Sequence, residues 1–210
     1  MVIIDTLTEF DTMIFEFIQS MQGDFPLLDS IFMFVAEYSQ IFMAVILLLG
    51  TTIALIINNR KAKSGLNFYS RSTLWVQTVK ILGAILVIVV LPMILSDLLR
   101  DVVLRDRPYV ALDLEPMIEQ TVRPSLPSNH TTASFAIAGF YLVYLRRGFP
   151  LIALIAALVG ISRIYTGIHY PLDILIGAAL GLSPAILYTF IHSYFTRSSG
   201  KYIDRHRQKW

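Results

Sequence analysis

Between two strongly apolar segments, residues 162–173 bring together Ser162, Arg163, His169 and Asp173. Pro171 suits the first turn of a helix, where its missing N–H would have no partner anyway. Asp173 then falls in that turn, four residues beyond His169, near enough to accept a hydrogen bond from one imidazole nitrogen. Such a bond fixes the tautomer and leaves the lone pair of the other nitrogen facing outward. Arg163 adds a planar cationic fork that matches phosphate or carboxylate. By itself the stretch also fits a polar loop between membrane helices whose arginine reaches for the interface.

A second group, Pro127, Ser128, Asn129 and His130, leads directly into an apolar run from Thr131. Backbone N–H groups at a helix start, with the helix dipole, favour an anion. The Ser128 hydroxyl adds a donor, and His130 stands where it can protonate a leaving oxygen. In isolation, a serine N-cap beside an interfacial histidine has the same appearance. A third group is Arg100 with Arg107 and Pro108, two guanidiniums at the end of an apolar segment.

In combination the three groups are more specific. Arg100, Arg107 and Arg163, beside Ser128, a helix start and two histidines, suit a tetrahedral phosphoryl group with up to three exposed oxygens. The histidine backed by Asp173 can attack phosphorus, and the other can protonate the departing oxygen. No carboxylate cluster has metal-ligand spacing, so no metal or other cofactor is expected. Arginines would supply the charge neutralisation that Mg²⁺ gives elsewhere.

The elements that must hold these groups are membrane helices. Of 210 residues, 55% are hydrophobic and 15% charged, with a mean hydropathy of +0.64. That is too apolar for an ordinary soluble domain. The absence of cysteine excludes disulfides, thiolate nucleophiles and cysteine-ligated metals. The N-terminus lacks the Lys/Arg-rich start and small-residue cleavage site of a removed signal peptide. The pattern predicts an all-α, polytopic membrane helical bundle in one domain, 1–210, with five or six transmembrane helices and an N-terminal amphipathic helix.

That first helix covers 3–21 within segment 1–24. Asp5, Glu9, Asp11 and Glu16 make it a poor span, so it lies at the interface or packs on the bundle. Spans follow at 27–57, 73–96, 131–145, 149–165 and 172–195, the third short enough to start below the membrane surface. Pro184 suggests a kink in the last, and Lys80 snorkels to the basic side. Glu37, inside the first span, reads best as a carboxylate pairing with an arginine of the site. An acidic stretch at 113–119 lies in the long polar connection. The basic loop 58–72, Arg146–Arg147 and a basic, mobile tail at 196–210 share one side, which the positive-inside rule makes cytoplasmic. The three motif groups therefore share the outer side.

The three groups resemble the signature of the type 2 phosphatidic acid phosphatase superfamily: Lys-x6-Arg-Pro, Pro-Ser-x-His and Ser-Arg-x5-His-x3-Asp. Arg100-x6-Arg107-Pro108 departs at its first position, where the family usually has lysine; the other two groups match fully. Leu28-Asp29-Ser30, Glu37-Tyr38, His130-Thr131-Thr132 and His169 to Asp173 are further similar to the bacitracin-resistance type of undecaprenyl-diphosphatase. The resemblance implies a phosphohistidine formed on His169, Asp173 orienting it, and His130 as general acid. It implies that Arg100, Arg107, Ser128 and Arg163, with the Asn129 backbone, hold the phosphoryl oxygens. The expected partner is a membrane-embedded prenyl diphosphate or other lipid phosphate in a bacterial plasma membrane; no nucleic acid is implied. Phosphatidylglycerophosphate and phosphatidic acid are alternative substrates. A non-catalytic lipid-phosphate binder or flippase is a different class, which would need the arginines but not the base and acid.

Overall fold

The computed structural model describes residues 2–64, 70–119 and 123–207. Helix α1 (Val2–Gln19) is followed by α2 (Pro26–Ser64) and α3 (Ser70–Ile85). A π-helical turn, Leu86–Val90, joins α3 to α4 (Leu91–Val103), so the two run as one rod. Then come a single turn, α5 (Pro108–Ala111), and α6 (Asn129–Tyr144), α7 (Phe149–Tyr165) and α8 (Pro171–Arg207). No strand occurs among the described residues.

By length and composition, Pro26–Ile57, Thr78–Ala111 and Pro171–Tyr194 can each cross a membrane, and Phe149–Tyr165 is a shorter apolar helix. With α6 these form an all-α membrane bundle. Large apolar side chains such as Leu48, Leu82, Leu154 and Leu187 stay exposed, as a lipid-facing surface requires.

Helix α6 is the axis of the bundle, packed against α8, α7, α2, α4 and the π-helical turn. Its contact with α8 is close because small residues line it. A Cβ on Gly177 would stand 2.9 Å from the Ser128 carbonyl, and one on Gly181 would run into the Thr132 carbonyl. Gly177, Gly181 and Ala185 recur at four-residue intervals, the small-residue pattern that lets membrane helices approach backbone to backbone. This approach locates chemistry: the Ser128 N–H donates to the Asp173 carbonyl at 3.1 Å, so two motif groups meet at adjoining helix starts.

Several boundaries differ from the sequence expectation. The basic loop is much shorter than 58–72, because α2 continues to Ser64 and α3 starts at Ser70; residues 65–69 lie outside the described residues. The expected basic tail is not a loose segment, since α8 continues past Thr196 to Arg207; residues 208–210 lie outside the described residues. Pro184 does not interrupt α8: the Leu180 carbonyl, which a proline cannot serve, accepts the Ser183 hydroxyl at 2.9 Å. Helix α1 is amphipathic as expected, with Leu7, Phe10, Met13 and Phe17 exposed. Its inner face, however, buries a carboxylate, Asp11, beside Phe15.

Candidate active site

Helix α7 ends at Tyr165, and Gly167, at φ +83°, turns the chain back. Its N–H donates to the Ile164 carbonyl, and the His169 N–H donates to the Arg163 carbonyl at 3.2 Å. Glycine adopts this left-handed conformation without the Cβ penalty. The loop is gripped from outside as well. Gln19 Nε2 donates to the carbonyls of Ile164 and Tyr165 at 2.8 and 2.9 Å. Tyr165 donates its hydroxyl to Asp29, and the acidic connection lies over the loop through Met117 N–H to Thr166 O. His169 is thereby fully buried.

Pro171 opens α8 as expected, and Asp173 stands in its first turn. His169 Nδ1 lies 3.3 Å from Asp173 Oδ2. The same oxygen accepts the Tyr170 N–H at 2.9 Å and the Ser125 hydroxyl. With Nδ1 committed to the carboxylate, the lone pair of His169 is on Nε2. Burial lowers the His169 pKa to about 4, against the opposing pull of Asp173, with Arg163 and Arg107 adding to the lowering. The imidazole is therefore neutral at physiological pH, the form a nucleophile needs.

The three arginines are buried around this pair. Arg163 Nη1 donates to the Ala36 carbonyl at 2.8 Å, and Arg107 Nε donates to the Arg123 carbonyl at 2.9 Å. Arg100 belongs to the last turn of α4 rather than to the polar connection. Its Nη2 reaches the Pro127 carbonyl at 3.3 Å, Asp97 is 3.9 Å away, and its Nε has no hydrogen-bond partner among the described residues. A buried cation so thinly compensated is costly unless an anion completes it. His130, on the first turn of α6, is within electrostatic reach of Arg163, His169, Arg107 and Arg100. Ser128 occupies the N-cap position but makes no side-chain cap bond. Its Oγ accepts from Thr131 at 3.1 Å, which leaves its own proton to donate. The Asn129 side chain is engaged elsewhere, receiving the Ser96 hydroxyl and donating to Asp97 at 2.6 Å, so only its backbone N–H is offered to an anion.

All eight residues expected from the sequence thus come together at one end of the bundle. Glu37 does not join them: it is exposed and makes no ion pair among the described residues. The neighbouring Ala36 contributes its carbonyl to Arg163 instead, because the α2 face that meets α7 carries Ala36 and Ser39, both buried. Sequence reasoning missed Ser125, Arg105 and Asp11. A signal for Asp11 existed, since it shares the face of Phe15 and Ile18 at helical spacing. Among the described residues no group of three or more His, Asp or Glu side chains is placed to hold a metal ion.

The PAP2 superfamily model matches residues 81–197, which contain all three motif groups. Undecaprenyl-diphosphatase BcrC of Bacillus subtilis (strain 168) is 31% identical over 157 residues, covering 74% of this chain and 70% of that protein. Two crystal structures have a similar fold, each with a TM-score of 0.54. Aquifex aeolicus LpxE is 23% identical, with 84% of this chain and 92% of that one covered. A transmembrane PAP2-type phosphatidylglycerolphosphate phosphatase from Bacillus subtilis is 24% identical, with 90% and 87% covered. A membrane bundle that buries a histidine–aspartate pair among arginines, and that the family model matches over these groups, belongs to the PAP2 superfamily of membrane lipid phosphatases.

Proposed function

We propose that the protein removes the terminal phosphate of undecaprenyl diphosphate, regenerating the monophosphate lipid carrier of cell-wall synthesis, by way of a phosphohistidine. The observation that carries the mechanism is the His169–Asp173 pair fixed inside a cluster of buried guanidiniums. Arg100, Arg107, Arg163, the Ser128 hydroxyl and the Asn129 N–H take the phosphoryl oxygens. His169 Nε2 attacks phosphorus, the bond to the bridging oxygen breaks, and His130 gives that oxygen its proton. Water then attacks the phosphohistidine, His130 accepts its proton, and inorganic phosphate leaves with His169 free again. Charge on the transferring group is stabilised by fixed cations that need no rearrangement. A lipid-phosphate binder or flippase would gain nothing from an Asp-backed imidazole whose lone pair is turned away from the carboxylate. The substrate assignment is supported by the likeness to the Bacillus undecaprenyl-diphosphatase.

Release of inorganic phosphate from a panel of lipid mono- and diphosphates tests both parts. Undecaprenyl diphosphate is expected to be the best substrate, and turnover to be unchanged in EDTA. Preference for phosphatidylglycerophosphate or phosphatidic acid overturns the substrate while leaving the chemistry. Loss of turnover in EDTA that Mg²⁺ restores removes the arginine clamp.

The site is proposed to face outward from a bacterial plasma membrane, with the C-terminus inside. The support is the basic excess at Arg60–Lys63, Arg146–Arg147 and the tail, at the ends of helices away from the motif groups. The chain has no cysteine, so a single Ile118→Cys probe reports without background. Labelling by an impermeant thiol reagent in intact cells is expected; labelling only after lysis reverses the topology.

A further inference from the structure

One set of charges at the site takes no part in the chemistry above. Leu104, at φ 50°, ends α4, and the chain after it carries Arg105 back between α1 and α8. Arg105 Nη1 donates to Asp173 Oδ1 at 2.9 Å, and its Nη2 donates to Asp11 Oδ2 at 2.5 Å. Its guanidinium lies 4.1 Å from the centre of the Tyr170 ring, a cation–π distance. Asp11 in turn accepts the Leu172 N–H on Oδ1 at 2.7 Å, at the start of α8. Asp11 and Asp173 are both buried, and 162 residues of sequence separate them. The Arg105 N–H adds a side-chain clamp on the oxygen of Asp173 that His169 does not use.

We propose that Arg105 and Asp11 are positioning residues for His169: they hold Asp173 in one orientation and set how strongly its charge acts on the imidazole. The inference rests on the reading of His169 as nucleophile. Two functions follow from the geometry. A guanidinium fork can bridge two carboxylates in fixed planes, which an ammonium cannot do with equal precision. Asp11 also shares the charge of Arg105, so Asp173 keeps its pull on His169 instead of being neutralised. The charged and titratable groups around His169 are Asp173 of α8, Arg163 of α7, His130 of α6, Asp11 of α1, and Arg105 and Arg107 between α4 and α5. Helix α1 is therefore a working part of the site, and its exposed apolar stripe is the opposite face of the same element.

The test compares Arg105→Gln, Arg105→Lys and Asp11→Asn in the full-length protein in vesicles, on the best lipid of the panel. Asn retains Oδ1 for the Leu172 N–H, so Asp11→Asn removes the charge while keeping that bond. A hydrogen bond between charged groups is worth roughly 10–100-fold, and Arg105→Gln is expected to lose about that much in kcat with KM little changed. Its kcat/KM should also fall at a higher pH on the acid side, because one less cation near His169 makes protonation easier. Asp11→Asn should move that limb the other way, since it removes a nearby anion. Arg105→Lys, which keeps the charge without the fork, should keep the limb near its normal position and lose less kcat than Arg105→Gln. Normal kcat in Arg105→Gln overturns the inference. So do equal losses in Arg105→Gln and Arg105→Lys with no shift of the limb, which mark a structural contact only. His169→Ala separates the two levels: if it is inactive while Arg105→Gln turns over normally, only this inference fails, and if it is active the nucleophile itself is wrong.

Discussion

His169→Ala is expected to release no phosphate from any lipid phosphate or activated ester, because the atom proposed to attack phosphorus is gone whatever the leaving group. Among the described residues nothing nearby replaces it: Ser125 is bonded to the same carboxylate, and His130 sits on a different helix. Asp173→Asn is expected between this variant and the parent. An amide in that place still reaches Nδ1 but no longer stabilises the positive charge that develops on the ring, and it gives Arg105 a poorer partner. The parent enzyme adds a pH signature. With the His169 pKa lowered to about 4 by burial, its nucleophile is neutral through the physiological range. Its kcat/KM should fall on the acid side only as the pH approaches 4, where a proton takes up the lone pair that attacks phosphorus. Trapping of ³²P on the parent protein and not on His169→Ala is the direct measurement; a normally active His169→Ala ends the assignment.

His130→Ala should fail selectively. General-acid catalysis contributes roughly 10²–10⁴-fold, and the variant should lose about that much on a lipid monophosphate of the panel, whose leaving alkoxide needs a proton. With p-nitrophenyl phosphate the leaving group departs without one, so the loss should be markedly smaller. Burst kinetics on the two substrates give the comparison. Equal losses on both would mean that His130 holds the phosphoryl group rather than protonating the departing oxygen.

What was readable in the sequence follows from how local each feature is. The His169–Asp173 pair is four residues apart across a Pro171 helix start, so backbone geometry alone brings the side chains together, and the 3.3 Å contact was legible. The meeting of Ser128 with Asp173 was legible only in outline, from side-of-membrane counting. Its closeness comes from Gly177 and Gly181, whose role appears once α6 lies against them. Asp11 and Arg105 were not assigned, because a carboxylate in an amphipathic helix is ordinarily solvated, and the partner that buries this one is 94 residues away. Glu37 misled for the opposite reason: a charge in an apolar span suggests a role, but the helix turns it outward and presents Ala36 to Arg163.

The π-helical turn at Leu86–Val90 is silent in the sequence, five apolar residues among many. It nevertheless governs orientation. Beyond it Pro92, Ser96 and Arg100 are all buried, a stripe at four-residue spacing that meets α6 and the site. Each residue in an α-helix turns the next by about 100°, and a π-helical turn accommodates one residue more than the surrounding helix. The bilayer fixes how far this rod must travel but says nothing about its rotation. A chain one residue shorter there would cross the same thickness with the same hydrophobicity and still turn Arg100 away from the buried His169–Asp173 pair. The phase of the active site is thus written some ten residues upstream of it, in a segment that touches no substrate.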